Sequence, residues 1–471
     1  MKKMLALVLT AAMTCGLISG CSGGGSTGGG STGGGSTGGG AAQQTTAAPA
    51  GGGSSGETQA AAQETAAVDA SMYEVTEPIT IQWWHSLEAQ YSDVVDQVVN
   101  DFNSSQDLIT VEPVYVGSYG QVNEALVAAH AAGTGLPAVT VANTPYVAEY
   151  GAGGLTEVLD PYIQATGFDI DDFGKGLVDA SSYNGQQVSL PFLISTQVVF
   201  YNKTMADELK VTIPEKWDDM DSFLEAVSVV NNGTTERYGT IIPGWDQWYF
   251  ETFYLNNGVN LINDDQISTD LDNEAAVGIV NKFKEWCDKG YIYWANGTDA
   301  SSIMRQNFID KKAFSVMHTS SMYKLYTDKC DFEVGMAWLP GGETKNQEIG
   351  GCVLLIPSKN DQATKNAAWQ FLAYLCSKDV NMTWVKGTGY MPTRNSVLHT
   401  EEGVKFLEEK PAFQCIFDNL DLINPRIQHP GWNQLATIWK NYMAEIMIED
   451  VDIPSKIEDM VEEINEVLED S

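Results

Sequence analysis

From residue 79 onward the chain repeats one pattern: a short apolar run, then about a dozen residues whose apolar side chains share one helical face. Ile79-Thr80-Ile81-Gln82-Trp83-Trp84 reads as a strand, and residues 90–102 read as a helix with Val94, Val95, Val98 and Phe102 on one side. Residues 109–116 and 138–142 read as further strands, with a helix over 119–131 between them. Strands separated by helices of this length need crossover connections, which predicts a parallel sheet in an α/β lobe. The pattern resumes past residue 188. Apolar strands over 188–192 and 197–202 precede a helix over 220–230, a strand over 238–242 and helices over 248–256 and 273–289. Residues 313–318, 334–340 and 351–357 read as strands, and 365–375 as a helix. The last third is helical and ends in an acidic amphipathic stretch over 454–468. The expected fold class is therefore α/β with two lobes over 77–471. Lobe 1 covers roughly 77–188 plus a later returning segment, and lobe 2 roughly 189–310 plus the C-terminal helices.

Residues 1–72 carry no such pattern. Lys2 and Lys3 precede an apolar run from Met4 to Leu17, then Ile18-Ser19-Gly20-Cys21. A positive start, a short apolar middle and small residues before a cut predict a signal peptide over 1–20. The run is too short for a stable membrane span. Cys21 directly after Ser-Gly resembles the lipobox of bacterial lipoproteins, which implies a lipid such as palmitate on that cysteine. Each buried methylene of such a chain contributes roughly 0.8 kcal/mol. Residues 21–72 continue as Gly-Gly-Gly-Ser-Thr repeats and then Ala, Gln, Thr and Glu. Nothing there can bury a core, so a disordered tether is expected, with a root-mean-square reach of roughly 35–45 Å. These features predict a domain held on the outer face of the cell membrane.

The net charge is -36, from 62 acidic and 26 basic side chains. Such a surface repels phosphate backbones and anionic headgroups, which argues against nucleic acid as a partner. Only four arginines occur, Arg237, Arg305, Arg394 and Arg426, so each matters if the ligand is an anion. Past Cys21, the five cysteines Cys287, Cys330, Cys352, Cys376 and Cys415 form no CxxC pair. Their wide spacing suits buried thiols better than a disulfide framework or a zinc site. No GxSxG elbow, HExxH or EF-hand loop is present. The reading is a protein that is not an enzyme and needs no metal or cofactor.

Several local motifs then occur in order: Trp84-His85-Ser86-Leu87-Glu88, Tyr115-Val116-Gly117-Ser118-Tyr119, Pro191-Phe192-Leu193-Ile194-Ser195-Thr196, Gly244-Trp245-Asp246-Gln247-Trp248, Thr319-Ser320-Ser321, Gly350-Gly351, Thr388-Gly389-Tyr390-Met391-Pro392 and Pro425-Arg426-Ile427. Together, over about 80–464, they resemble the extracellular solute-binding proteins of bacterial ABC importers. The resemblance is strongest to the glycerol-3-phosphate-binding branch, whose relatives bind maltose and other sugars. It implies two α/β lobes with the ligand in the cleft between them. It also implies ligand contacts from Glu88, Tyr115, Ser195, Trp245, Trp248, Ser320, Gly351, Tyr390 and Arg426. Ile194 stands where that family has a serine, and the surroundings of Arg426 are less similar.

The chemistry of these residues suits a small polar ligand. Each hydroxyl or charge taken out of water needs a partner in the cleft. Glu88 supplies acceptors, Ser195, Ser320, Tyr115 and Tyr390 supply hydroxyls, and Arg426 supplies a fork for two phosphate oxygens. Trp245 and Trp248 offer flat faces to a carbon skeleton. Each residue also has an ordinary alternative: core packing for the tryptophans, a cap or surface position for Glu88, a salt bridge for Arg426. The resemblance implies capture of sn-glycerol-3-phosphate or a related phosphodiester, with a neutral mono- or oligosaccharide as the alternative. The implied partners are an ABC permease with its ATPase, and the membrane through the lipid; the chain is expected to be a monomer.

Overall fold

The computed structural model describes residues 70–471. The signal peptide over 1–20, Cys21 and the tether as far as residue 69 lie outside the described residues. Among the described residues the fold starts with a 3-10 turn, Ala70–Tyr73, a few residues before the expected onset near Glu77. The turn is fastened: Tyr73 packs on Tyr162 at 4.5 Å between ring centroids, and the Asn366 side chain donates to the carbonyls of Met72 and Glu74.

The first lobe follows the expected alternation. Strand Ile79–His85 pairs in parallel with Ile109–Tyr115 on one side and Val139–Asn143 on the other. Helices Ser92–Ser105 and Tyr119–Ala132 make the crossovers. The second begins in a capping box, in which the Ser118 hydroxyl accepts from the Gln121 backbone and the Gln121 side chain accepts from the Ser118 backbone. Val94, Val95, Val98 and Phe102 are buried, as their spacing requires. They meet Trp83, Phe371 and Trp384 in the first core. Two helices from far along the chain, Gln362–Leu375 and Lys378–Thr388, complete this core.

The second core gathers Leu224, Phe250, Phe253, Phe283, Trp286, Trp294 and Trp439. The C-terminal helices Trp432–Ile448 and Ile453–Glu469 lay their apolar faces here. The helix expected over 220–230 stops at Val227. Val229–Asn231 instead forms a hairpin with Thr234–Arg237, because Asn232 and Gly233 both take positive φ, 52° and 76°, and make a tight turn.

Long shared strands join the two lobes. The runs expected over 188–192 and 197–202 form a single strand, Leu190–Asn202. Its first half pairs antiparallel with Gln347–Leu355, and its second half lies between Ser315–Thr319 and Val334–Ala337. Gln347–Leu355 passes on to pair antiparallel with Val139–Asn143, so the main sheet is mixed rather than wholly parallel. Pro191 sits inside the long strand without an N–H to donate, and the register slips there, between Cys352 and Val353 on the partner. A third apolar cluster, including Ile194, Phe200, Ile349, Met391 and Phe413, backs this crossing. All five described cysteines are free. Burial raises their thiols, Cys352 to about 11 and Cys287, Cys330, Cys376 and Cys415 to about 12, so they remain protonated and inert.

Among the described residues no helix is long and apolar enough to cross a membrane.

Candidate functional site

Two segments of the second lobe, the turn before helix Trp248–Leu255 and the end of strand Ser315–Thr319, build one wall of the candidate cleft. Trp245 is half-buried, and its ring lies 5.8 Å from Tyr249 and 6.4 Å from His318. Trp248 is buried beside the crossing strands. A side chain at Gly350 would strike the Trp248 ring at 2.4 Å and Ser195 Oγ at 2.9 Å, so the missing Cβ is what lets these three groups meet. The indole N–H of Trp248 is buried without a protein acceptor. Ser195, Trp248 and the glycine pair therefore converge, but the residue that touches the others is Gly350. Gly351 turns instead toward the Leu193 carbonyl, with φ +96°.

The opposite wall comes from the first lobe. Glu88 is exposed and precedes a 3-10 turn that presents Tyr91. Tyr91 reaches Ser321 of the second lobe, and its ring stands 6.5 Å from that of Tyr390. Burial raises the Tyr91 phenol; the Glu88 carboxylate pushes the same way and Arg305 opposes it. Tyr390 is half-buried and bonded to Tyr119 and Ser321, and burial holds its phenol well above the ordinary value. Tyr249 is raised by burial too, with Asp246, Tyr326 and Tyr390 around it. These phenols are neutral donors and acceptors at any physiological pH.

Behind this wall His318 is buried, with Nδ1 2.9 Å from the Tyr326 hydroxyl. Burial, reinforced by Arg305, lowers it to about 3, so the imidazole is neutral.

Three expected residues are placed differently from the rest. Tyr115 is 55% exposed at a strand end, whereas Tyr119 of the same motif reaches Tyr390. Ser320 is fully buried, and its hydroxyl accepts from the Thr196 backbone at 3.2 Å; the neighbouring Ser321 faces Tyr91 and Tyr390. Arg426 is buried in a charged cluster. Its Nε lies 3.2 Å from Glu251 Oε1, close enough to pair but not aligned as a hydrogen bond. The Gln247 amide fits this network with Oε1 accepting from Arg426 Nη2 at 2.8 Å and Nε2 donating to Asp246 Oδ1 at 3.1 Å. Glu348 is buried beside them. Burial first, then the Glu251 carboxylate, raises it well above the usual carboxylate range, with Arg426 opposing.

Sequence reading missed Tyr91, Tyr119, Tyr249, Ser321, Glu251 and Glu348. Tyr119 and Ser321 lay inside the quoted motifs, and a choice of the later member of each would have found them. Tyr91, Tyr249 and the two glutamates carry no spacing signal.

Among the described residues no group of three or more His, Cys, Asp or Glu side chains is arranged to hold a metal ion.

Two α/β lobes with a cleft between them, joined by long shared strands, define the class. Residues 97–414 match the family of bacterial extracellular solute-binding proteins, and the chain belongs to it. Among curated relatives, the sn-glycerol-3-phosphate-binding periplasmic protein UgpB of Escherichia coli strain K12 is 23% identical over 350 residues, covering 71% of this chain and 78% of that protein. The fold is similar to that of UgpB from Mycobacterium tuberculosis in complex with glycerophosphocholine, with a TM-score of 0.74 and 20% identity over 84% of this chain and 99% of that one. It is similar as well to the GacH receptor of Streptomyces glaucescens, solved with acarbose, with a TM-score of 0.73 and 19% identity over 84% and 100% of the two chains.

Proposed function

We propose that this protein is the solute-capturing component of an ABC importer, binding a small polyhydroxylated solute between its lobes and delivering it intact to a permease. The observation that carries this is the neutral wall of Tyr91, Tyr249, Tyr390, Ser321 and Trp245, drawn from both lobes and from the segment between them. Phenols and hydroxyls can satisfy ligand hydroxyls, while the Trp245 face covers C–H groups. Contacts divided between two lobes give the ligand a larger affinity for the closed state, which drives closure. Energy for transport comes from the partner ATPase.

In this reading Cys21 carries the lipid and the monomer is held at the outer surface of the membrane. The support is the short apolar run ending in Ser19-Gly20-Cys21. Cys21→Ser should move the protein from the membrane fraction to the medium; retention at the membrane would remove the anchor from the proposal.

A phosphate-bearing glycerol ligand is favoured by the names of the relatives in Escherichia coli and Mycobacterium tuberculosis, and by the position of Arg426. A neutral sugar is favoured by the aromatic wall and by the ion pair that already occupies Arg426. Calorimetric titration with sn-glycerol-3-phosphate, glycerophosphocholine, glycerol and a panel of neutral sugars tests the function. At least one should bind saturably, and Trp245→Ala should weaken it by about 1–3 kcal/mol through lost apolar burial. Binding unaffected by Trp245→Ala would sink the proposed site.

A further inference from the structure

Arg426, Glu251 and Glu348 form a buried charge cluster beside the turn that carries Trp245 and Trp248. All three side chains are buried, at 3%, 0% and 3% exposure. Arg426 faces Glu251 at 3.2 Å and the Gln247 amide at 2.8 Å. Glu348 is anchored to the crossing strands: its backbone N–H donates to Gln197 Oε1, and its carbonyl accepts from the Thr196 hydroxyl. Gln197 in turn donates to the Trp248 carbonyl at 2.7 Å. The cluster is thus tied to the tryptophan turn on one side and to both lobe-joining strands on the other.

Its charge balance decides what it can bind. Burial opposes the Arg426 charge, but Glu251, Asp246 and Glu348 together more than offset that and hold it protonated. Glu348, raised well above the usual carboxylate range, keeps its proton beside the pair of Arg426 and Glu251. An incoming phosphate would have to displace Glu251 from Arg426 and leave a carboxylate buried without a cation.

We infer that Glu251 and Glu348 withhold Arg426 from the ligand, so that this cleft selects neutral polyhydroxylated solutes, of the sugar class, over phosphate esters. The inference rests on the solute-capture reading and narrows it. Of the remaining arginines, Arg237 donates to the Val227 carbonyl, and Arg394 donates to the Cys376 carbonyl and is ion-paired with Asp172 at 3.8 Å. Arg305 stands near Tyr91 and His318 and is probed separately in the test.

The test is calorimetric titration of the wild-type protein, Glu251→Gln, Glu348→Gln and the double variant. The probes are inorganic phosphate, sn-glycerol-3-phosphate and a panel of neutral sugars. In the double variant, freed Arg426 should bind sn-glycerol-3-phosphate at least tenfold more tightly than wild type does. Adding Arg426→Gln should abolish the gain. Wild type should prefer a neutral sugar by at least 100-fold. Circular dichroism checks folding, and if the double variant is unfolded the nearly isosteric Glu251→Gln carries the comparison with a smaller gain. A wild-type protein that binds sn-glycerol-3-phosphate more tightly than any sugar overturns the inference, whether Arg426→Gln or Arg305→Gln removes that binding. So does a folded variant with no gain. A wild type that binds sugars beside a variant without gain leaves solute capture standing and removes only the filter. A variant that gains phosphate binding while wild type binds no sugar supports the filter and counts against the sugar panel.

Discussion

The turn 245–251 feeds two polar clusters whose states differ. Trp245 and Tyr249 face His318, with Tyr390 and its partner Ser321 beside them, a set that is neutral and partly open. Gln247 and Glu251, one helical turn apart, face Arg426 and Glu348, a set that is charged, fully buried and ion-paired within the protein. A side chain that has found its counter-ion inside the protein contributes to the architecture. One that is uncharged and partly open at a cleft can contribute to binding. Residue type alone does not separate the two, since arginine is the stronger ligand for anions in the abstract.

Arg426→Ala should break this comparison hardest. It strands Glu251 and Glu348 in the interior, and the loss of stability is expected to be about 3–5 kcal/mol, read from denaturant unfolding without any ligand. An unfolding midpoint that does not move would mean the arginine is not structural.

His318→Asn comes next and probes the wall from behind. Its folded value of about 3 lies below the ordinary 6.5, so the unfolded chain binds more protons between these limits. The stability it contributes is fully present above about pH 6.5 and is lost as pH falls toward 3. The thermal midpoint of wild type should therefore fall with acid over that window, and the variant should show a shallower slope. His85, lowered by burial to about 4, keeps part of the slope in place. Identical slopes would mean that His318 is not held neutral.

Tyr390→Phe should weaken ligand binding by about 0.5–1.5 kcal/mol, the net value of one hydrogen bond, with little change in stability. Equal titration curves for the two proteins would move the ligand away from this tyrosine. Tyr115→Ala is expected to have the smallest effect, less than about 0.5 kcal/mol on stability, because an exposed surface side chain has few contacts to lose. Ligand affinity should be unchanged within error. A large affinity loss would restore Tyr115 to the site in place of Tyr119.

Much of the first lobe was legible because its signal is local. Alternating apolar runs and the 3.6-residue spacing of Val94, Val98 and Phe102 are properties of short segments. The helix over 220–230 was overextended because Val229 and Val230 continue an apolar run, while the turn at Asn232 and Gly233 pulls them into a hairpin. The lobe-joining strand was read in two pieces because Pro191 and the polar Ser195 and Thr196 interrupt its pattern. Burial on both faces, supplied by distant strands, is what makes it continuous.

The sequence by itself determined much of the alternating architecture and the family. Those depend on periodicity and on short ordered motifs, which survive in one dimension. Only the tertiary structure decided that Tyr119 and Ser321 bond to Tyr390 while Tyr115 stands exposed and Ser320 accepts from the Thr196 backbone, and that Arg426 meets two glutamates. Glu251 and Glu348 lie far from Arg426 along the chain, and electrostatic pairing depends on distance in space, which residue spacing does not encode.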